Sequence, residues 1–76
     1  MRVARDLDVR PILTRGEEPF ATIMRATEDL EDDEALHLIA PFEPRPLYDA
    51  MRQRGYTAHT TGDGSVFHVW FYREIP

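Results

Sequence analysis

The sequence predicts an α+β fold: a two-layer β-α-β-α-β-β sandwich in which two helices cover one face of a mixed four-stranded sheet. Three observations carry this expectation. Apolar and polar residues alternate in several short segments, apolar residues recur at helical spacing in two others, and turn signals separate them, Gly62-Asp63-Gly64 most clearly. The 76 residues are expected to form one domain with a small core, because a chain this short buries only about 60% of its unfolded surface.

The first strand is expected over Val3 to Val9, where Val3, Leu7 and Val9 share one parity and Asp6 and Asp8 the other. Arg5 interrupts the apolar parity. Arg10-Pro11 ends the strand, since proline cannot donate to a ladder and pushes its predecessor out of the αR region. Thr14 to Glu18 reads as a polar connector. Pro19 suits the first turn of a helix, and Glu17 and Glu18 lie beside the positive end of its dipole. Phe20, Ile23, Met24, Thr27 and Leu30 form the apolar stripe of that helix. The acidic run Glu31-Asp32-Asp33-Glu34 reads as a solvated turn, with cation binding as the alternative, and its length and lack of glycine exclude an EF-hand loop.

Ala35 to Ala40 is the second expected strand, with Leu36 and Leu38 on one face and His37 and Ile39 on the other. A connector with Pro41, Pro44 and Pro46 follows, stiff because each proline fixes φ. Leu47, Ala50 and Met51 mark the second helix, and Arg52-Gln53-Arg54-Gly55 is the expected stop, with cations in the last turn and then glycine. Tyr56 to Thr61 and Ser65 to Arg73 read as a hairpin. Phe67, Val69 and Phe71 are assigned to the helix-covered face, and His68, Trp70 and Tyr72 to the open one. A two-residue Asp63-Gly64 turn would pair Gly62 with Ser65 and set His59 opposite His68 and Thr57 opposite Trp70.

The order and spacing of these motifs carry a resemblance. Leu7-Asp8-Val9-Arg10-Pro11, Glu18-Pro19, Glu43-Pro44-Arg45-Pro46-Leu47-Tyr48 and Gly55-Tyr56 together resemble the TusA/SirA superfamily of small sulfur carriers, and more closely its cysteine-free bacterial relatives of unknown function. The resemblance implies that the fourth strand lies between the second and third. The carriers' Cys-Pro-x-Pro signature would place its cysteine at Gly16, followed here by Glu17-Glu18-Pro19, so only the last proline remains. The chain has no cysteine, which excludes covalent sulfur transfer, disulfides and thiolate metal sites. The cysteine-free relatives carry His-Pro at Glu18-Pro19 and a histidine at Phe42, and this chain departs at both. Related domains accompany hemerythrin-like or cupin modules, so the resemblance implies an adaptor role near redox chemistry.

Net charge is −5 and every basic residue is arginine. That balance disfavours nucleic acid and anionic membranes as partners. The first eight residues hold no apolar stretch long enough for a signal peptide, and no run reaches transmembrane length, so a cytoplasmic protein is expected. No cofactor is expected, and no nucleophile elbow, phosphate loop or carboxylate pair suggests an enzyme. Two binding surfaces are open to consideration. Arg45, at the start of the second helix, and Arg10 are candidate anion contacts, unless Arg45 pairs locally with Glu43, Asp49 or Asp8. The open sheet face offers His59, His68, Trp70 and Tyr72. It reads as a protein-partner or homodimer interface, as a transition-metal site of His37, His59 and His68, or as ordinary cross-strand pairing. The leading expectation is a non-catalytic binding or adaptor domain. The alternative is a redox- or sulfur-pathway accessory protein that binds a small anion or metal.

Overall fold

The computed structural model describes residues 2–74. Its elements are β1 (Arg2–Asp8), α1 (Arg10–Thr14), α2 (Phe20–Glu28), β2 (Glu34–Ala40), α3 (Arg45–Gln53), β3 (Thr57–Gly62) and β4 (Phe67–Tyr72). The sheet runs in the order β1-β2-β4-β3. β1 is parallel to β2, and β4 is antiparallel to both β2 and β3. The α+β sandwich with a mixed four-stranded sheet therefore stands as expected, with β4 between β2 and β3.

The core lies between that sheet and α2 and α3. Ile23, Met24 and Ala26 of α2, and Leu47 and Met51 of α3, pack with Leu36, Leu38 and Ala40 of β2 and Val69 and Phe71 of β4. Leu36, Leu38, Met51, Val69 and Phe71 are the largest fully buried side chains. The parity assignments for β2 and β4 thus hold. Tyr56 closes one end of the core: its hydroxyl donates to the Thr27 carbonyl at 3.2 Å, and the Arg73 guanidinium lies over its ring at 4.7 Å.

Three local features differ from the sequence expectation, each for a physical reason. First, the segment after β1 is the short helix α1 rather than the start of a connector. The Asp8 carboxylate accepts the Arg10 backbone N–H at 3.0 Å, and Pro11 sits in the first turn, where its missing donor costs nothing. Gly16, at φ +77°, then ends the turn. Second, β1 carries a bulge between Val3 and Arg5. The extra residue reverses the facing of Val3 relative to Leu7. Val3 is exposed, while Arg5 keeps the parity of Leu7 and lies on the helix side, 3.4 Å from Asp29 at the end of α2.

Third, the β3–β4 hairpin turns through Asp63–Val66 and pairs Gly62 with Phe67. His59 lies opposite Trp70, Thr57 opposite Tyr72, and His68 opposite Thr61. The expected His59–His68 pair is therefore displaced by two residues, which preserves every face and changes every partner. Asp63 builds the longer turn. Its Oδ1 accepts the Ser65 and Val66 backbone N–H groups, each at 3.0 Å, and the Ser65 hydroxyl at 2.9 Å.

Two predictions follow from the hairpin. A Cβ added to Gly62 would run into the Phe67 ring, so Gly62→Ala is expected to cost about 1–3 kcal/mol of stability in chemical denaturation. A loss under about 0.5 kcal/mol, within the range of a neutral surface change, would show that the ring swings aside freely. The bonds from Ser65 and Val66 hold the Asp63 carboxyl down at about 2, below its ordinary 3.8. A depressed carboxylate stabilises above its unfolded value and stops doing so as pH falls through its folded value. The stability difference between wild type and Asp63→Asn should thus be complete above pH 3.8 and vanish as pH falls through about 2. Carboxyl titration by NMR together with paired melts at each pH checks this.

Candidate functional site

The open sheet face collects the histidines as the parity predicts, but the register decides their chemistry. His37 stands opposite Asp6 on one side and Trp70 on the other, and Trp70 in turn stands opposite His59. The Asp6 carboxylate lies 2.6 Å from His37 Nδ1, and His37 Nε2 lies 2.9 Å from His68 Nδ1. A carboxylate only accepts, so with both rings neutral the chain has one direction: His68 Nδ1–H donates to His37 Nε2, and His37 Nδ1–H donates to Asp6. The Trp70 indole stacks on His37 with centroids 4.8 Å apart and planes 10° apart. Its neighbour His59 is tilted at 42°, with a centroid separation of 5.8 Å.

This arrangement answers the three-histidine metal expectation. His37 spends both ring nitrogens on Asp6 and His68, and His59 is separated from the pair by the indole. Among the described residues no group of three or more His, Asp or Glu side chains is arranged to hold a metal ion. His68 Nε2 has no protein hydrogen bond among the described residues, yet no buried side-chain nitrogen or oxygen there lacks a partner. That nitrogen is therefore open to solvent. Trp70 and Tyr72 are only half-exposed on this face.

The two candidate anion contacts are engaged by their neighbours. Arg10 grips Asp8 in a bidentate pair, Nε at 2.9 Å and Nη2 at 2.7 Å, which lowers the Asp8 carboxyl below its usual range. Arg45 donates from Nε to Glu43 at 2.8 Å and holds the Glu43 carboxyl down likewise. The Tyr48 hydroxyl lies between Glu43 and Thr60, 2.6 Å from the Thr60 hydroxyl, and burial raises its pKa. Asp32 and Glu34 of the acidic run are also partnered. Asp32 meets Arg73 at 2.9 Å, and Glu34 meets Arg2 at 3.0 Å.

What the proline connector does provide is an apolar wall. Among the described residues the exposed large hydrophobics are Val3, Phe20 and Phe42, and the two phenylalanines line a single groove of roughly 260 Å³. Leu13, Pro19, Ile23, Pro44, Pro46 and Leu47 complete its apolar lining, and Glu18 is the one ionisable side chain in it. Three elements build this groove. α1 presents Leu13, the start of α2 presents Phe20, and the rigid connector holds Phe42 outward. Glu18 also accepts the Phe20 backbone N–H at 2.7 Å, which anchors the α2 terminus. A larger depression beside β1, of about 480 Å³, is walled by Arg5, Arg25, Glu28 and Asp29 and is crossed by the Arg5–Asp29 pair, so it offers charge to water rather than an apolar seat.

The sequence puts Phe20 in the core stripe and marks Phe42 only as a departure from a histidine of the relatives, with no binding role. Phe42 was the recoverable signal, an aromatic residue held between prolines outside any periodic stripe. The direction of the His68–His37–Asp6 chain can be checked directly at a pH where both rings are neutral. In ¹⁵N–¹H correlations His37 and His68 should both appear as Nδ1–H tautomers, and Asp6→Ala should disturb both rings. An Nε2–H tautomer at neutral His37 would contradict the chain direction.

No helix among the described residues is long and apolar enough to cross a membrane. Comparison with curated proteins and with solved structures gives no match. A family model described as an uncharacterized conserved protein, DUF2249, matches residues 6–73. The match runs from the end of β1 through β4 and takes in both surfaces described above, and the chain belongs to the DUF2249 family.

Proposed function

We propose that this domain is a non-catalytic docking module, a TusA/SirA-like scaffold without the sulfur-carrying cysteine, that seats a short apolar segment of a partner protein between the starts of α2 and α3. The observation that carries this reading is the convergence of Phe20 and Phe42 on one groove with proline walls. Exposed aromatic residues around a preformed concavity are where binding energy concentrates. Prolines keep the wall rigid before binding, which lowers the ordering cost. Glu18 supplies the specificity. Glu17 beside it is neutralised by Arg15, and Glu43 by Arg45, whereas Glu18 has no cationic partner among the described residues. The occupant is thus an apolar or aromatic segment flanked by a basic residue that meets Glu18.

Peptides that pair aromatic and aliphatic residues with a flanking arginine, titrated by NMR and calorimetry, test the reading. Shifts should centre on Phe20, Phe42 and Leu47. Phe42→Ala and Phe20→Ala should each weaken binding by roughly tenfold or more, Glu18→Gln should remove the preference for arginine, and His68→Ala should leave affinity unchanged. Shifts centred on Trp70 and Tyr72 instead would move the docking surface to the open sheet face and end the groove reading.

A further inference from the structure

The two edges of the sheet are built differently. β1 is guarded: it carries the bulge at Val3–Arg5 and the charged residues Arg2, Arg5, Asp6 and Asp8, the devices that keep an edge from pairing with another chain. β3, Thr-Ala-His-Thr-Thr-Gly, has none of them. It holds no proline, no acid and no arginine, and its register with β4 runs unbroken from Thr57 to Gly62.

The hydrogen-bond phase of that edge can be worked out. The Asp63 N–H donates to the Val66 carbonyl, so Asp63 and Val66 are a hydrogen-bonded pair. Such pairs alternate along an antiparallel ladder. Thr61, His59 and Thr57 therefore turn their backbone groups to β4. Gly62, Thr60 and Ala58 turn theirs to the open edge. The layer above is open as well. Ala58 is exposed although it sits on the helix-covered face opposite fully buried Phe71. A groove of about 330 Å³ runs there between α3 and the edge strand, lined by Tyr48, Arg52, Tyr56, Thr57, Ala58 and Thr60.

We infer that the β3 edge pairs with β3 of a second copy of this chain, joining two sheets into one eight-stranded sheet. Three arguments select that occupant. The strand is self-complementary about Thr60: an antiparallel two-fold pairs Thr60 with the partner's Thr60 and Ala58 with the partner's Gly62, so every outward backbone group is met, and a threonine pair sits at the centre. Each chain carries a net charge of −5, which opposes self-association everywhere an acid lies. Thr57 to Gly62 is free of acids, so two copies meet there with the least repulsion. The inward residues Ala58, Thr60 and Gly62 are small, so the second strand enters beside α3 without a clash and covers the groove. This contact lies on the opposite side of the sheet from β1 and leaves Phe20, Phe42 and the groove they line untouched.

Sedimentation and backbone hydrogen exchange across a concentration series test the pairing. The expected mass is about twice the 8.9 kDa chain at high concentration. Protection of the Ala58, Thr60 and Gly62 amides should rise with concentration, while the Thr57, His59 and Thr61 amides stay protected throughout. Ala58→Pro deletes an edge-facing donor and no bond to β4, so it should weaken the dimer by roughly tenfold or more while the fold, read by circular dichroism, survives. A monomer at millimolar concentration with those three amides unprotected overturns the inference. So does a dimer that Ala58→Pro leaves intact, or protection that appears only when an extended peptide is added.

Discussion

The pairing of β2 with β4 is the constraint on which the rest of this structure depends. It sets Leu38 beside Val69 and Leu36 beside Phe71, and all four are fully buried. α2 and α3 have no other surface to cover, since their apolar stripes converge on these residues. The same pairing builds the opposite face. By placing His37 across from Trp70 it brings His37 and His68 together beside an indole, and the β1–β2 register adds Asp6 to the same hydrogen-bonded chain. The core and the histidine chain are two sides of one register, because a strand's side chains alternate between faces.

Charge in this molecule is largely spent at short range. Arg10 is held by Asp8, Arg45 by Glu43, Arg15 by Glu17 and Arg73 by Asp32. These pairs are mostly exposed, so they orient side chains more than they stabilise the fold. Their functional consequence is subtractive. The cations that a sequence reader would assign to anion binding already have partners, and the apolar groove between the helix starts remains as the feature with unmet surface. The rigid connector over residues 41–44 matters for that reason, as a wall that presents Phe42, rather than as a mount for Arg45.

Local chemistry made several elements legible in the sequence. Gly55, at φ +90°, ends α3 where the Arg-Gln-Arg-Gly signal placed the stop. The alternation in Phe67–Tyr72 identified which side meets the helices. α1 is hidden in the sequence because Arg10-Pro11 read locally is a strand end, whereas Asp8 and Pro11 together form a helix start. The β1 bulge is not legible in the alternation, which sets Val3 with Leu7, since a bulge is recognised by its partner strand. The hairpin register escaped because Asp63-Gly64 is a strong two-residue turn signal on its own, and the hydrogen bonds from Ser65 and Val66 to Asp63 make the longer turn the better satisfied one.

Acting alone, the sequence determined the fold class, the facing of β2 and β4, the exclusion of cysteine chemistry and the expectation of an uncovered sheet face. These follow from periodicity and composition, which are local properties of the chain. Tertiary structure decided which residues meet. It decided that Trp70 rather than His68 lies across from His59, that His37 is consumed by Asp6 and His68, and that Phe20 and Phe42, 22 positions apart, share one groove. Register and helix placement depend on the packing of the whole core, so no segment read by itself contains them.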